Sequence, residues 1–163
     1  MLNKFGEGDV QTPIDESMMG DEKDWEYIRV PGLGFLPGLI CPHHDKIQSN
    51  GVLRATDFDK MLQRHKGERG IGIDHWAALI VSDGKYKVLS LDDKVGSVVL
   101  DGNDVKFRAG EGVPGVWIKD VVDGDVDARL CEEEGDLGDL LRSAVEIVQD
   151  DKVELCRMAN SSD

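Results

Sequence analysis

This chain contains no run of apolar residues long enough to cross a bilayer. Its first residues, MLNKFGEGDVQTP, lack the apolar centre of a secretory signal. A helical anchor and an export leader are therefore not expected, and the expected compartment is the cytoplasm. Cysteine is scarce: Cys41, Cys131 and Cys156 are odd in number and widely spaced, and no CxxC occurs. That argues against a disulfide framework and for reduced thiols. Basic clusters are missing as well. Lys and Arg number 19 against 33 Asp and Glu, for a net charge of −14. A phosphate backbone or an anionic membrane would be repelled, so neither nucleic acid nor membrane is expected as a partner. The acidity reads as solubility.

What is present is an ordinary globular composition. The 163 residues are 40% hydrophobic and 32% charged, the profile of one soluble domain that buries about two-thirds of its unfolded surface. Residues 1–24 read as an acidic loop, with Asp15, Glu16, Asp21, Glu22 and Asp24 late in it. WEYIRV (25–30) alternates and predicts a short strand. An irregular Gly/Pro-rich approach leads into a buried strand ending near Cys41. Residues 54–65 predict a helix with Thr56 as N-cap and Phe58, Met61 and Leu62 on one face. KGERG closes it, and GIGID (70–74) is a short apolar strand.

Three hairpins follow. They span 77–91 about Asp83-Gly84, 97–109 about Asp101-Gly102-Asn103-Asp104, and 115–130 about Asp123-Gly124. Residues 137–149 predict an amphipathic helix, and KVELCRM a last strand. The order predicts an α/β first part followed, over 93–163, by a β-rich extension with a C-terminal helix. No linker divides the chain, so 1–163 reads as a single domain.

The stretch GLICPHHDKIQSNG (38–51) carries the chemistry. An apolar run stops at Pro42, and His43, His44 and Asp45 follow at once. A histidine at the carboxyl end of a buried strand sits where α/β sheets gather their chemistry, and its pKa suits proton transfer near neutrality. Pro42 restrains Cys41 to an extended conformation and stiffens the exit. The alternative is a polar loop with two solvent-facing histidines, which the motif alone slightly favours. A metal site is not expected. Adjacent histidines on extended chain diverge, and no further pair at ligand spacing completes a tetrahedral set.

LGFLPGLICPHHD, a helix, then GIDHWAALIV-SDG: this order resembles the dipeptidase E (peptidase E, aspartyl dipeptidase) family of serine peptidases, to whose broader group cyanophycinase belongs. The resemblance covers roughly residues 5–92. It implies the C-terminal part of a three-layer α/β sandwich similar to class I glutamine amidotransferases, with a peptide as substrate and no cofactor. By that resemblance His43 is the catalytic histidine, and Asp45 matches an aspartate of a Pro-His-aromatic-Asp loop, with His44 where the aromatic is usual. The triad acid falls on Asp15 or Glu16, with Asp15 narrowly preferred. Asp74 matches an acidic position near the site, and His75 stands where a second acid is usual.

One departure matters most. The family's Gly-x-Ser-x-Gly elbow, which exposes the nucleophile, does not occur in these residues. By family spacing that serine falls at or before Met1, and the upstream half of the sheet is expected to be missing with it. Ser17 and Ser97 lack the elbow's glycines, and Cys41 reads as a small buried hydrophobe. Two readings follow. One is a peptidase-family hydrolase represented by its C-terminal part, inactive alone and able to act on a peptide only when completed by the missing half. The other is a non-catalytic pseudo-enzyme or interaction domain. In either, a sheet edge left unpaired predicts self-association, His43 rather than His44 faces the site, its pKa is raised by an acid partner, and His44 titrates like a free ring.

Overall fold

The computed structural model describes residues 29–65 and 67–141. The first unit is a strand-helix-strand crossover: β1 (Leu39–Pro42), α1 (Arg54–Arg64) and β2 (Gly70–Ile73). β1 and β2 pair in parallel, Leu39 opposite Gly70 and Pro42 opposite Ile73. Along β1 the side chains alternate. Leu39 and Cys41 turn to one face and bury against Phe58, Met61 and Leu62 of α1. Ile40 turns to the other.

β2 uses the same alternation with glycine. A Cβ on Gly70 would lie 2.6 Å from Leu62 Cδ1 and 2.9 Å from Phe58 Cζ. The glycine thus lets α1 lie directly on the strand, while Ile71 and Ile73 fill the opposite face.

α1 begins one turn earlier than Thr56 would have it. Its N-cap is Leu53, with no side-chain cap. Backbone carbonyls of the preceding loop do that work: Arg54 N–H donates to Lys46 O (2.9 Å) and Ala55 N–H to His44 O (3.1 Å). Thr56 is inside the first turn, and its N–H donates to Leu53 O.

The later chain doubles back onto this unit. β7 (Val116–Val122) lies antiparallel to β2, and β8 (Asp125–Leu130) beside β7, giving the order β1-β2-β7-β8. β3 (Ala77–Ser82), β4 (Lys85–Ser90) and β9 (Glu134–Asp136) form a second sheet. Tyr86, Leu79 and Val88 of that sheet pack with Ile71, Val116 and Ile118. Among the described residues, one face of the first sheet therefore carries α1 and the other carries strands. β5 (Gly96–Asp101) and β6 (Asp104–Gly112) make a separate ribbon. The architecture is α/β-like, with mixed sheets and little helix.

All three expected hairpins form. Asp83 (φ 52°) and Gly84 (φ 75°) both take positive φ, as do Asp123 (φ 53°) and Gly124 (φ 95°), the type I′ geometry that matches strand twist. In the ribbon only the first central residue, Gly102 (φ 67°), does so, as a type II′ turn requires.

Of the 137–149 helix, the described part is one turn, α2 (Leu137–Leu140); residues 142–149 lie outside the described residues. Arg69 ties that turn to the sheet, donating to both oxygens of Asp120 (3.0 and 2.8 Å) and to Asp139 O (2.8 Å). Of WEYIRV, only Arg29 and Val30 are described, and neither is in a strand.

Gly70→Val should lower unfolding stability by about 1–3 kcal/mol, because helix and strand must separate to admit the side chain. Gly138→Ala, with nothing within 4 Å, should be neutral or stabilising by less than about 1 kcal/mol. Urea denaturation of both variants checks the pair; equal effects would contradict the close-packing argument.

Candidate functional site

The chain leaves β1 at Pro42 and turns sharply. His43 has a φ of 53°, the left-handed region that non-glycine residues enter uncommonly and often at functional sites. His44 N–H then donates to Ile73 O (2.9 Å), adding one more rung to the β1–β2 pairing. This conformation separates the two rings: His43 is exposed and His44 is fully buried.

The His44 ring occupies the space that Gly72 leaves. A Cβ there would lie 2.7 Å from the imidazole. Phe107 (centroids 4.8 Å) and Phe58 (6.0 Å, edge-on) enclose it. Burial pushes the His44 pKa down, partly opposed by Asp74. The expectation that His44 titrates like a free ring is therefore overturned by its packing. His44 Nδ1 stands 3.7 Å from Asp74 Oδ1, too far for a hydrogen bond.

Asp74 is itself buried, at 1% exposure. Its Oδ2 accepts from Ser97 N–H (3.0 Å), Ser97 Oγ–H (2.6 Å) and Gly115 N–H (3.0 Å). Trp117 Nε1–H in turn donates to Ser97 Oγ (2.8 Å). Asp74 is thus the hub of a buried network that fastens β5 and the residue entering β7 to the end of β2, with Trp117 of β7 joined through Ser97. Ser97 is fully buried and committed to it.

Asp45 is buried too, and its Oδ1 accepts from His75 N–H (2.7 Å). His75 Nδ1 lies 2.5 Å from His43 Nδ1, with ring centroids 4.5 Å apart. Partial burial, His75 and Arg54 lower the His43 pKa, against the pull of Asp45. Among the described residues its shift runs opposite to the one an acid partner would cause. The two triad-acid candidates, Asp15 and Glu16, lie outside the described residues. So four expected residues, His43, His44, Asp45 and Asp74, do gather at the ends of β1 and β2, with His44 and Asp74 inside and His43 at the surface.

Cys41 is unsuited to nucleophilic work: burial pushes its thiol up to about 12. Cys41 and Cys131 are both unpaired, and Cys156 lies outside the described residues. No group of three His, Cys, Asp or Glu among the described residues could hold a metal ion. No helix among them is long and apolar enough to cross a membrane. Sequence reasoning missed the bonds of Ser97 to Asp74 and of Trp117 to Ser97, and the pairing of His75 with His43. The available signal was GIGID, whose alternate glycines mark a strand face that something approaches closely.

Residues 10–89 match the model of peptidase family S51. That stretch contains the whole CPHHD loop together with Asp74 and His75. The S51 match stops before Ser97 and Trp117, so the Asp74 network joins the matched region to strands beyond it. The chain is also similar to the G2/mitotic-specific cyclin-1 of Trypanosoma brucei brucei, 36% identical over 143 residues. The alignment covers 87% of this chain and 39% of that relative. No solved structure matches the chain.

Two outcomes are expected. Asp74→Ala removes the acceptor of Ser97 Oγ–H and Gly115 N–H, while Ser97 N–H keeps Val113 O at 3.1 Å, and should cost about 1–3 kcal/mol for each donor that stays unpaired. Asp74→Asn, which keeps an oxygen, should lose less, and urea titrations compare them. Stability should also fall with acid. Both His43 and His44 have pKa values below 6.5 in the folded state. As the pH drops through 6.5, the unfolded chain therefore binds protons that the folded chain refuses, and stability is lost down to each folded pKa. His44→Phe should shrink that loss in urea melts above and below this window; an unchanged pH dependence would contradict it.

Proposed function

We propose that this chain carries the histidine base of a serine-type peptidase of the dipeptidase E kind, with His43 as the base. One observation supports this above the others. Within the stretch that matches a peptidase family, His43 emerges at the carboxyl end of a parallel strand, in a left-handed backbone conformation, with its ring at the surface. Its lowered pKa leaves the ring neutral and able to accept a proton at neutral pH. In the reaction His43 would take the proton of a serine hydroxyl as that oxygen attacks a peptide carbonyl, then return it to the leaving amine. Asp15 or Glu16 would be the acid, and the wider fold would be the amidotransferase-like sandwich. The peptidase would work in the cytoplasm, where Cys41 and Cys131 stay reduced.

The serine is the part these residues do not supply, since no Gly-x-Ser-x-Gly occurs in them. That observation favours the second reading, a non-catalytic pseudo-enzyme or interaction domain. The name of the trypanosome relative belongs to that protein, of which this chain aligns to 39%, and it does not decide between the two.

The purified 163-residue chain should neither hydrolyse Asp-X dipeptides nor label with a serine-reactive fluorophosphonate. The gene upstream of the Met1 codon should then be read for an in-frame Gly-x-Ser-x-Gly segment and the longer chain expressed. Its hydrolysis should drop about 10²–10⁴-fold in His43→Ala. A longer chain that lacks the segment, or stays inert, would leave the interaction domain as the better reading.

A further inference from the structure

In a hydrolase triad the ring nitrogen that does not face the nucleophile is held by an acceptor, which sets the tautomer and aims the other nitrogen. Here a second imidazole stands at that place. His43 Nδ1 and His75 Nδ1 are 2.5 Å apart, so a single proton lies between them and one ring must accept. The partner ring is well anchored. His75 follows directly on Asp74 at the end of β2, its N–H is bonded to the buried Asp45 Oδ1 at 2.7 Å, and its edge meets Trp76 at 4.3 Å between centroids. Asp45 belongs to the same loop as His43. The two strand ends are thereby closed into a ring of contacts, His43 to His75 to Asp45. Among the described residues His43 Nε2 has no partner.

We propose that His75 is a positioning residue for His43: its Nδ1 accepts the Nδ1 proton of His43 and holds that ring as the tautomer whose Nε2 is the free base. This rests on His43 being the base, and it gives the place on His43 Nδ1 to His75 rather than to Asp15 or Glu16. When Nε2 takes up a proton, the bond to His75 becomes charge-assisted and the pair carries one positive charge. A carboxylate at this place would favour the charged ring at every pH where it is ionised. A neutral imidazole does so only until it is protonated itself. Once His75 also binds a proton it has no lone pair to offer, and the two cations repel. The groups facing His43 reinforce this limit: among the described residues, Arg54 from α1 and Lys46 in the loop oppose charge on the ring, and Asp45 favours it. His75 therefore serves as an acceptor for His43 only while its own Nδ1 keeps a lone pair.

The test is nitrogen-15 NMR of the imidazoles in the 163-residue chain, which needs no activity. At alkaline pH, His43 should be the Nδ1–H tautomer, against the preference of a free side chain for Nε2–H. In His75→Phe, which keeps the backbone bond to Asp45 but has no acceptor, His43 should revert to Nε2–H. His75→Asn, whose side chain offers an oxygen, should retain the Nδ1–H form. Backbone amide spectra confirm that each variant is folded. An Nε2–H tautomer in the parent chain, or a His43 tautomer indifferent to His75→Phe, would overturn the proposal. The two readings fail separately. Loss of the tautomer effect with a His43-dependent longer enzyme would remove only His75's role. A His75-dependent tautomer in an inert longer chain would remove only the peptidase.

Discussion

The parallel pairing of β1 with β2 is the constraint on which the rest depends. Parallel neighbours end on the same side, so residues 43–45 and 74–75, about thirty positions apart, emerge together. The pairing continues past both strands through His44 N–H to Ile73 O, which sets the register of the loop as well as the sheet. From that register follow the burial of His44, the bond from His75 to Asp45, and the meeting of His43 with His75. It also places the His44 and Lys46 carbonyls where α1 needs acceptors, so the loop and the helix start hold each other.

Glycine on one face of β2 makes this arrangement close enough to matter. Gly70 admits Phe58 and Leu62, and Gly72 admits the His44 ring. An aromatic-sized side chain next to His43 is thus pulled into the core, and the left-handed turn at His43 sends the other ring outward. Two chemically identical neighbours acquire different roles. His44 is a packing element wedged between Phe58 and Phe107, while His43 stays open to solvent. Asp74 contributes on the other side by gathering two donors from Ser97 in β5 and one from Gly115, just before β7. A buried carboxylate with three bonds holds an irregular junction in place, where an apolar residue would leave Ser97 Oγ–H and Gly115 N–H without their acceptor.

The departures from expectation share a cause. Thr56 was a reasonable N-cap by local chemistry, but loop carbonyls took the first helical donors and moved the start to Leu53. The β-rich part beyond residue 92 read as an extension, yet β7 inserts beside β2 and carries the donors of Gly115 and Trp117 into the site region. In both cases a long-range backbone contact outweighed a local preference.

The hairpins were legible because turn chemistry is local: Asp83-Gly84 and Asp123-Gly124 adopt the positive-φ pairs their residue types permit. The strand ending at Pro42, the helix after it and the GIGID strand were legible for the same reason, through apolar period and punctuation. The sequence by itself also determined that a histidine pair would sit at a strand's end. Only the tertiary structure decided which ring faces water and which partner it meets. Those outcomes depend on the space beside Gly72 and on the shared end of β1 and β2, and such space and proximity exist only once distant segments have packed.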